Sequence, residues 1–316
     1  MLFGKEIDFM GKRKIAAIAS ILAVVISIGS LAINQLNLGL DFTSGSLIEL
    51  SYSNPVITSE VVSSLQAGGY EGAVVVAFGS DRDILVRLPL ADEGDTAELA
   101  RAAATVGDEV VALLRADGEN EIELRRSEYV GAKVGEELAE QGGLGLLVAL
   151  GIVMIYVAIR FQFKFSVGAV VALGHDVLII LGVFSLFKLT FDLNVLAALL
   201  ATIGYSLNDT IVVSDRIREN FRLLRKSTPL VLVNISLNQT LSRTLITSTT
   251  TLMVLVVMFI FGPESVQGFS VALIIGVVVG TYSSIYVASN IILLMNISRE
   301  DLMVPVKEGS DLDSIP

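Results

Sequence analysis

The chain has 316 residues, of which 53% are hydrophobic and 17% are charged, and its mean hydropathy is +0.72. A soluble protein of this length needs a more polar surface, so the composition favours an integral membrane protein with a formal net charge of −11. The absence of Cys and the single His exclude disulfides, thiolate metal sites and a multi-histidine metal site within this sequence.

Six apolar stretches are each close to the roughly 20 residues that an α-helix needs to cross a bilayer. Because backbone polar groups cannot stay unpaired in lipid, these stretches predict six transmembrane helices. They cover residues 15–33, 142–159, 166–187, 195–213, 245–261 and 269–294. The first stretch is too long for the core of a signal peptide and no small-residue cleavage site follows it, so we expect a retained helix.

The stretches divide the chain into four predicted parts. These are a cytoplasmic N-terminus with the first helix (1–33), an exported α+β domain (34–141), helices 2–6 with a basic cytoplasmic loop at 215–243 (142–295), and an acidic cytoplasmic tail (296–316). The tail contains Pro and many acidic residues, which is typical of disorder.

Basic residues indicate the orientation of the helices. They lie before the first stretch, between the second and third, and between the fourth and fifth: Lys5, Lys12, Arg13, Lys14, Arg160, Lys164, Arg216, Arg218, Arg222, Arg225, Lys226 and Arg243. The opposite side carries only Lys188 in its short loops. Both termini are therefore predicted to be cytoplasmic, and the basic groups beside the membrane suit contact with anionic lipid.

The exported segment has alternating and helical patterns that predict a small folded domain. Strands are predicted at 46–53, 73–78, 84–88 and 121–129, helices at 59–67 and 97–115, a helix N-cap at Thr58 and a turn at 79–81. The order β-α-β-β-α-β is the ferredoxin-like pattern.

Asp209 is the first candidate for chemistry, since an ionisable group inside a membrane helix is costly and usually functional. Thr202, Ser206 and Asp209 fall at i, i+4 and i+7, so they share a helix face, and Asn208 directly precedes Asp209. Burial and a nearby cation have opposing effects on the pKa of a carboxyl group, which suits a site that binds and releases a proton. The structural alternative is that Asp209 pairs with another helix or caps a broken one.

Arg243 begins a second polar face, which continues through Thr244, Thr247 and Thr251 and includes Thr240 one turn earlier. Because Arg stays protonated, it cannot relay a proton, but it can act as a fixed counter-charge for a carboxylate. An interfacial Arg that extends towards water fits the sequence equally well.

His175 and Asp176 lie near the middle of the third stretch. Adjacent helical residues point about 100° apart, so we do not expect these two side chains to pair with each other. Histidine titrates near neutral pH, which suits a relay, although interhelical hydrogen bonding is the simpler reading of His175. Asp176 is the stronger functional candidate of the two.

The last stretch has small residues every four positions, at Gly276, Gly280, Ser284 and Ala288, which predicts close helix packing. A second face carries Ser283, Tyr286 and Asn290, which could line a water path.

Several segments resemble the bacterial SecF family of the resistance-nodulation-division superfamily. They are Gly39-Leu40-Asp41-Phe42-Thr43-Ser44-Gly45, Gly174-His175-Asp176, the run from Ser206 to Asn220, the run from Gln239 to Thr244, and Gly268-Phe269-Ser270. Ser44 stands where the family motif G-x-D-F-x-G-G usually has Gly, which predicts a somewhat different turn.

The resemblance implies a subunit of the Sec export machinery in the bacterial inner membrane, paired with a homologous SecD subunit and associated with the SecYEG channel, often with YajC and YidC. It implies that proton flow drives the export of preproteins, and that Asp209 and Arg243 belong to the proton pathway. We add Asp176, His175, Asn208, Ser206 and Thr247 to that pathway as candidates, and Gly39, Asp41, Phe42 and Gly45 as a structural motif.

Three alternatives remain open. The chain could be half of a small-molecule or lipid exporter of the same superfamily, or an intramembrane aspartyl protease with Asp176 and Asp209 as its dyad. It could also be a passive assembly factor, for which loss of Asp209 would be harmless. We expect a transport protein and not an enzyme, with no cofactor, no metal and no nucleic-acid partner, and with the proton gradient as its energy source.

Overall fold

The computed structural model describes residues 6–39, 41–42, 45–78, 80–89, 96–117, 121–130, 132–160, 163–224, 226–263 and 266–298. In chain order the first elements are a 3-10 turn (Met10–Lys12), α1 (Arg13–Asn34), β1 (Asn37–Leu38), β2 (Gly45–Tyr52), α2 (Thr58–Ala67), β3 (Val74–Phe78), β4 (Ser80–Leu88), α3 (Thr96–Asp117) and β5 (Ile122–Val130). They are followed by α4 (Ala132–Arg160), α5 (Phe163–Leu186), β6 (Thr190–Phe191), α6 (Leu193–Leu223), α7 (Pro229–Phe261), α8 (Gln267–Ser283), a π-helical turn (Ser284–Ala288) and α9 (Ser289–Leu294).

Six helices in the described part of the chain are long and apolar enough to cross a membrane, as the sequence predicts. They are α1, α4, α5, α6, α7 and the last helix, which α8, the π-helical turn and α9 form together. The helices α5, α6 and α8 form the centre of the bundle, since about half of the most apolar part of each helix is buried. By contrast, α1, α4 and α7 are mostly exposed, and only 6% of the most apolar part of α4 is buried.

The predicted basic loop at 215–243 is mostly helical. The helix α6 continues to Leu223 and α7 already begins at Pro229, so that only residues 224–228 connect them. Apolar contacts extend these two helices, because Ile217, Phe221 and Leu232 are buried between them. The basic side chains of this region therefore lie mainly on helix surfaces.

The α+β domain between α1 and α4 is a ferredoxin-like unit, as predicted. Its antiparallel sheet has the order β3-β4-β2-β5, with β2 and β4 in the centre, and α2 and α3 pack against it. Ile48, Leu50 and Val86 on the central strands are completely buried together with Leu65 of α2 and Val110 of α3. This core is separate from the apolar clusters of the helical bundle.

Two local predictions for this domain are wrong. Thr58 is the first helical residue of α2 and not its N-cap, because Ile57 has the extended backbone of the cap and accepts the first hydrogen bonds through its carbonyl oxygen. Ser80 and Asp81 belong to β4 and not to a turn, since Phe78 pairs with Ser80 across a very tight connection. Gly79, the acidic tail from residue 299 onwards and the side chain of Leu99 lie outside the described residues.

The segment before α1 is fixed across α7 at the end of the bundle that lies far from the α+β domain. The Oδ1 atom of Asn234 accepts hydrogen bonds from the backbone N–H groups of Phe9 (2.9 Å) and Met10 (3.2 Å). The amide of Asn238 both accepts from the N–H group of Ile7 and donates to its carbonyl oxygen, each at 2.8 Å. Phe9 and Met10 are buried, so that this segment closes one end of the helical bundle.

Candidate functional site

Asp209 is buried between three helices, and hydroxyl groups satisfy both of its carboxylate oxygens. Oδ1 accepts a hydrogen bond of 2.6 Å from Thr244 of α7, and Oδ2 accepts one of 2.7 Å from Ser284 in the π-helical turn. Thr202 and Ser206 share the buried face of α6 with Asp209, as their spacing predicts. Both oxygens of the carboxylate act as acceptors, which matches the hydrogen-bonding capacity of the ionised form.

Asp176 of α5 is the centre of a second buried group. Its side chain is only 1% exposed, and its Oδ2 atom accepts hydrogen bonds from Ser206 of α6 (2.6 Å) and Ser283 of α8 (2.8 Å). The Nδ1 atom of His175 lies 3.0 Å from Oδ1 of Asp176. The expectation that these neighbours do not pair is therefore wrong, because two side chains about 100° apart on a helix can still bring their end atoms within 3.0 Å of each other.

The last helix approaches α6 very closely at the predicted small residues. A Cβ atom at Gly276 would lie 2.4 Å from Oγ1 of Thr202, and one at Gly280 would lie 3.0 Å from Cβ of Ser206. This approach brings Ser283 and Ser284 within hydrogen-bond distance of the carboxylates. The π-helical turn begins at Ser284, and such turns occur frequently at functional sites.

Three of the predicted pathway residues do not contact either carboxylate. Arg243 has an exposed side chain that makes no ion pair within 4 Å with Asp209, although the two are near enough for electrostatic attraction. Asn208 is exposed, because it points about 100° away from the buried side chain of Asp209 on α6. Thr247 is also exposed, and its hydroxyl donates to the backbone carbonyl oxygens of Arg243 and Thr244. Spacing alone could not separate the inner hydroxyl groups of α7 from the outer ones.

Aromatic rings extend from His175 towards the far end of the bundle. The His175 ring stacks with Tyr282 at 6.3 Å, Tyr282 contacts Tyr286 at 5.3 Å, and Tyr286 contacts Phe9 edge-on at 6.1 Å. An apolar cavity of about 490 Å³ lies beside this row, between α1, α5 and the last helix. His175, Tyr286 and Asn290 line it, whereas Ser283 of the same predicted face is buried against Asp176.

The predicted motif residues after α1 make contacts that hold this segment against other parts of the chain. The N–H group of Gly39 donates to the carbonyl oxygen of Phe191 at 2.7 Å, and Oδ2 of Asp41 accepts from the N–H group of Leu193 at 2.9 Å. Phe42 stacks on Phe191 with 5.6 Å between ring centroids. Gly45 has a φ of +142°, and a Cβ atom there would lie 2.3 Å from the carbonyl oxygen of Leu88.

The two buried carboxylates have separate hydrogen-bond donors. Ser206 and Ser283 donate to Asp176, whereas Thr244 and Ser284 donate to Asp209. The dyad of an aspartyl protease needs two carboxylates about 3 Å apart that share one proton. No group of three or more potential metal ligands occurs within the described ranges.

Ser284 and Thr244 are the direct partners of Asp209, and the sequence does not distinguish them from their neighbours. By spacing alone, Ser284 belongs to a stripe of small packing residues and Thr244 is one of several hydroxyl residues on its face. Hydroxyl residues within apolar helices are the one signal for such contacts, and they do not identify individual partners. Asp192 has no sequence signal of this kind, yet its Oδ1 atom accepts from the N–H group of Val195 at 2.8 Å.

Comparison with known proteins now identifies the family. The family described as Protein export membrane protein SecD/SecF, C-terminal, matches residues 110–298, and the SecD/SecF GG motif matches residues 29–56. The protein translocase subunit SecF of Pseudomonas aeruginosa is 50% identical over 299 residues, which cover 95% of this chain and 94% of the relative. The chain belongs to the SecF family. SecF of Vibrio alginolyticus is 46% identical over 315 residues, covering 99% of this chain and 98% of the relative.

Part of each of two solved SecDF structures has the same fold as this SecF-family chain. The crystal structure of SecDF from Thermus thermophilus, a translocon-associated membrane protein, matches with a TM-score of 0.80 at 37% identity over 94% of the chain. SecDF in a super-membrane-facing form matches with a TM-score of 0.66 at 38% identity over 92% of the chain. In both cases the chain spans 39% of the longer SecDF chain.

Proposed function

We propose that this chain is the SecF-type subunit that, together with a SecD-type subunit, uses the proton motive force to drive preprotein translocation across the bacterial inner membrane. The observation that carries the proposal is the buried carboxylate of Asp209, which hydroxyl groups of α7 and of the π-helical turn hold in place. An ionisable group at this depth is costly, and membrane proteins retain such groups mainly for ion or proton transfer.

The hydroxyl partners of Asp209 can adapt to both protonation states. The Oγ atom of Ser284 lies 2.7 Å from Oδ2 of Asp209 and 3.0 Å from the carbonyl oxygen of Thr281. When the carboxylate is ionised, Ser284 donates to it. When Asp209 is protonated, the serine O–H turns towards the carbonyl oxygen of Thr281 and the serine oxygen accepts a hydrogen bond from the carboxyl O–H. Proton binding thus reverses the direction of a hydrogen bond that joins α6 to the last helix.

The energy available from the membrane potential is sufficient for such a rearrangement. Moving one charge across 100 mV supplies about 2.3 kcal/mol, which biases states that differ by a few kcal/mol. In this proposal the α+β domain moves with the helices to which it is attached.

The exposed polar face of α7 supports a SecD-type partner. Arg243 and Thr247 lie on the bundle surface beside the exposed apolar side chains of Leu245 and Ile246, and a cation on a lipid-facing surface is unfavourable. A neighbouring helix with a carboxylate would neutralise Arg243 close to Asp209. The proposal includes the wider assembly that the family resemblance implies, namely SecYEG with YajC and YidC, the preprotein and the surrounding lipid.

The proposed orientation follows from the charge distribution. Basic residues cluster at the end of the bundle away from the α+β domain, where Arg216 and Arg218 lie on the extension of α6. The positive-inside rule then places both termini in the cytoplasm and the α+β domain on the exported side.

The decisive experiment is export driven by a proton gradient in membranes that contain the complete machinery. Asp209→Asn keeps the shape of the side chain but removes its titration, and we expect it to abolish the stimulation by the gradient. The matched control is Asp215→Asn, the same substitution at an exposed position six residues along α6, which we expect to have no effect. Stimulation by the gradient in the Asp209→Asn variant, at normal protein levels, would overturn the proposal.

A further inference from the structure

The segment that leaves α1 is fastened to the beginning of α6. Leu38 of β1 pairs with Phe191 of β6 in a parallel register, and the N–H group of Gly39 donates to the carbonyl oxygen of Phe191 at 2.7 Å. A Cβ atom at Gly39 would lie 3.0 Å from the Cβ atom of Asp192, so the two backbones are in close contact. We call residues 37–39, 41 and 42, together with residues 190–193, the α6 latch.

Asp41 completes the N-terminus of α6 from a distant part of the chain. The first N–H groups of a helix have no acceptor within the helix and need one from elsewhere. Asp192, the N-cap residue, accepts from Val195 at 2.8 Å. Asp41, 152 residues away in sequence, accepts from Leu193 at 2.9 Å, and a carboxylate at this position also interacts favourably with the helix dipole.

The latch is also attached to the α+β domain and to the apolar core of the bundle. The Nη1 atom of Arg87, on the central strand β4, donates to the carbonyl oxygen of Leu38 at 3.2 Å. Phe42 is buried against Phe191, which in turn contacts Phe184 of α5 edge-on at 6.4 Å. A short segment therefore touches the domain on one side and the end of α6 on the other.

We propose that Asp41 is a positioning residue that ties the α+β domain to α6, so that movement of α6 is transmitted directly to the domain. Asp209 lies 16 residues from Leu193 on the same continuous helix, which corresponds to about 24 Å. The helix α6 therefore carries the candidate proton site at Asp209, and its first residue, Leu193, is attached to the segment that leads into the domain. The physiological purpose of this link rests on the proposed function, but the link itself can be tested without export.

The test compares Asp41→Ala with Asp41→Asn in the full-length chain. Asparagine keeps an oxygen that accepts the N–H group of Leu193, whereas alanine has none. Hydrogen exchange of the first turn of α6 reports the cap, and loss of one capping hydrogen bond corresponds to about fivefold faster exchange. Because the chain has no Cys, spin labels on Cys introduced at the exposed positions Glu123 and Leu223 report the distance between the domain and the far end of α6.

We expect Asp41→Ala to accelerate exchange at Leu193 and to broaden the label distances, while Asp41→Asn retains both wild-type signals. Faster exchange with an unchanged distance distribution would show a local cap only and would overturn the proposal. Unchanged hydrogen exchange at Leu193 in Asp41→Ala would also overturn the proposal, because the Asp41 carboxylate would then not stabilise the start of α6. If Asp209→Asn retained gradient-driven export while Asp41→Ala broadened the distances, the proposed function would fail and the mechanical link would stand.

Discussion

Ser283 and Ser284 are neighbours in the chain, yet each donates its hydroxyl proton to a different buried carboxylate. Ser283 donates to Asp176 at 2.8 Å and Ser284 donates to Asp209 at 2.7 Å. Both hydroxyl groups also lie close to the carbonyl oxygen three residues earlier in their own helix, at 3.2 and 3.0 Å. The start of the π-helical turn therefore contacts both acidic groups at once.

Ser284→Ala removes one of the two donors to Asp209, so we expect it to destabilise the bundle and to reduce gradient-driven export. Interhelical hydrogen bonds in membranes contribute about 0.6 kcal/mol on average and up to about 1.7 kcal/mol, which sets the expected loss. The control is Ser270→Ala on the same helix, whose buried hydroxyl bonds to the carbonyl oxygen of Val266. Reversible unfolding in detergent measures the free energy of unfolding of both variants. Equal losses of stability in the two variants would contradict a special role for Ser284.

Gly276→Ala should separate α6 from the last helix. The new Cβ atom would lie 2.4 Å from Oγ1 and 2.5 Å from Cγ2 of Thr202, which is fully buried and cannot retreat without moving its helix. Overpacking of this kind costs about 1–3 kcal/mol. Gly204→Ala on α6 is the control, since no atom lies within 4 Å of its Cβ position. A Gly276→Ala variant as stable as the control would show that the close approach is unimportant.

Gly45→Ala should unfold or loosen the start of β2. Its φ of +142° disfavours any side chain, and the added Cβ atom would meet the carbonyl oxygen of Leu88 at 2.3 Å. Gly69→Ala separates the two causes, because Gly69 has a φ of +93° with no atom within 4 Å of its Cβ position. We expect hydrogen exchange in β2 and β4 to accelerate strongly in Gly45→Ala and only locally in Gly69→Ala.

The sheet of the α+β domain should lose stability in acid through Asp83. Hydrogen bonds from the hydroxyl groups of Ser51 (2.6 Å) and Ser80 (2.8 Å), together with Arg125 at 3.3 Å, lower the pKa of Asp83 below its ordinary value. A carboxyl group with a lowered pKa in the folded state stabilises the fold above its ordinary pKa near 4, and this contribution disappears as the pH falls through the lowered value.

Hydrogen exchange in β2 and β4, followed from pH 5 downwards at corrected intrinsic rates, measures this contribution of Asp83. We expect Asp83→Asn to be less stable than wild type at pH 5 and to lose little further stability below pH 4. Glu123→Gln on the edge strand β5 is the control, since Glu123 is exposed. Parallel acid sensitivity of the wild type and Asp83→Asn would show that another group is responsible.

Much of the fold could be predicted because its signals are local. The six spans follow from runs of apolar residues, and the order of strands and helices in the α+β domain follows from periodicity. The errors lie where packing extends or shifts an element. The helices α6 and α7 continue far beyond their apolar spans because Ile217, Phe221 and Leu232 pack together. The helix α2 begins at Thr58, one residue earlier than the sequence predicts, because Ile57 has the backbone conformation of the N-cap.

The candidate site could be predicted only in part. Asp209, Asp176 and Ser206 are buried as expected, since polar residues within apolar helices seldom face lipid. Arg243 and Thr247 share helical spacing with Thr244, but the rotation of α7 directs only Thr244 towards Asp209. The orientation of α7 about its own axis is set by contacts with other helices, so the sequence of α7 alone does not predict it.

The sequence by itself determined which residues form helices and strands and which acidic groups lie within the membrane spans, because both depend on neighbours a few positions away. The tertiary structure decided which donor serves which carboxylate, as when Ser284 reaches Asp209 over 75 residues and Asp41 reaches Leu193 over 152. Hydrogen bonds require atoms within about 3 Å, and only the packing of whole helices against one another fixes positions to that precision.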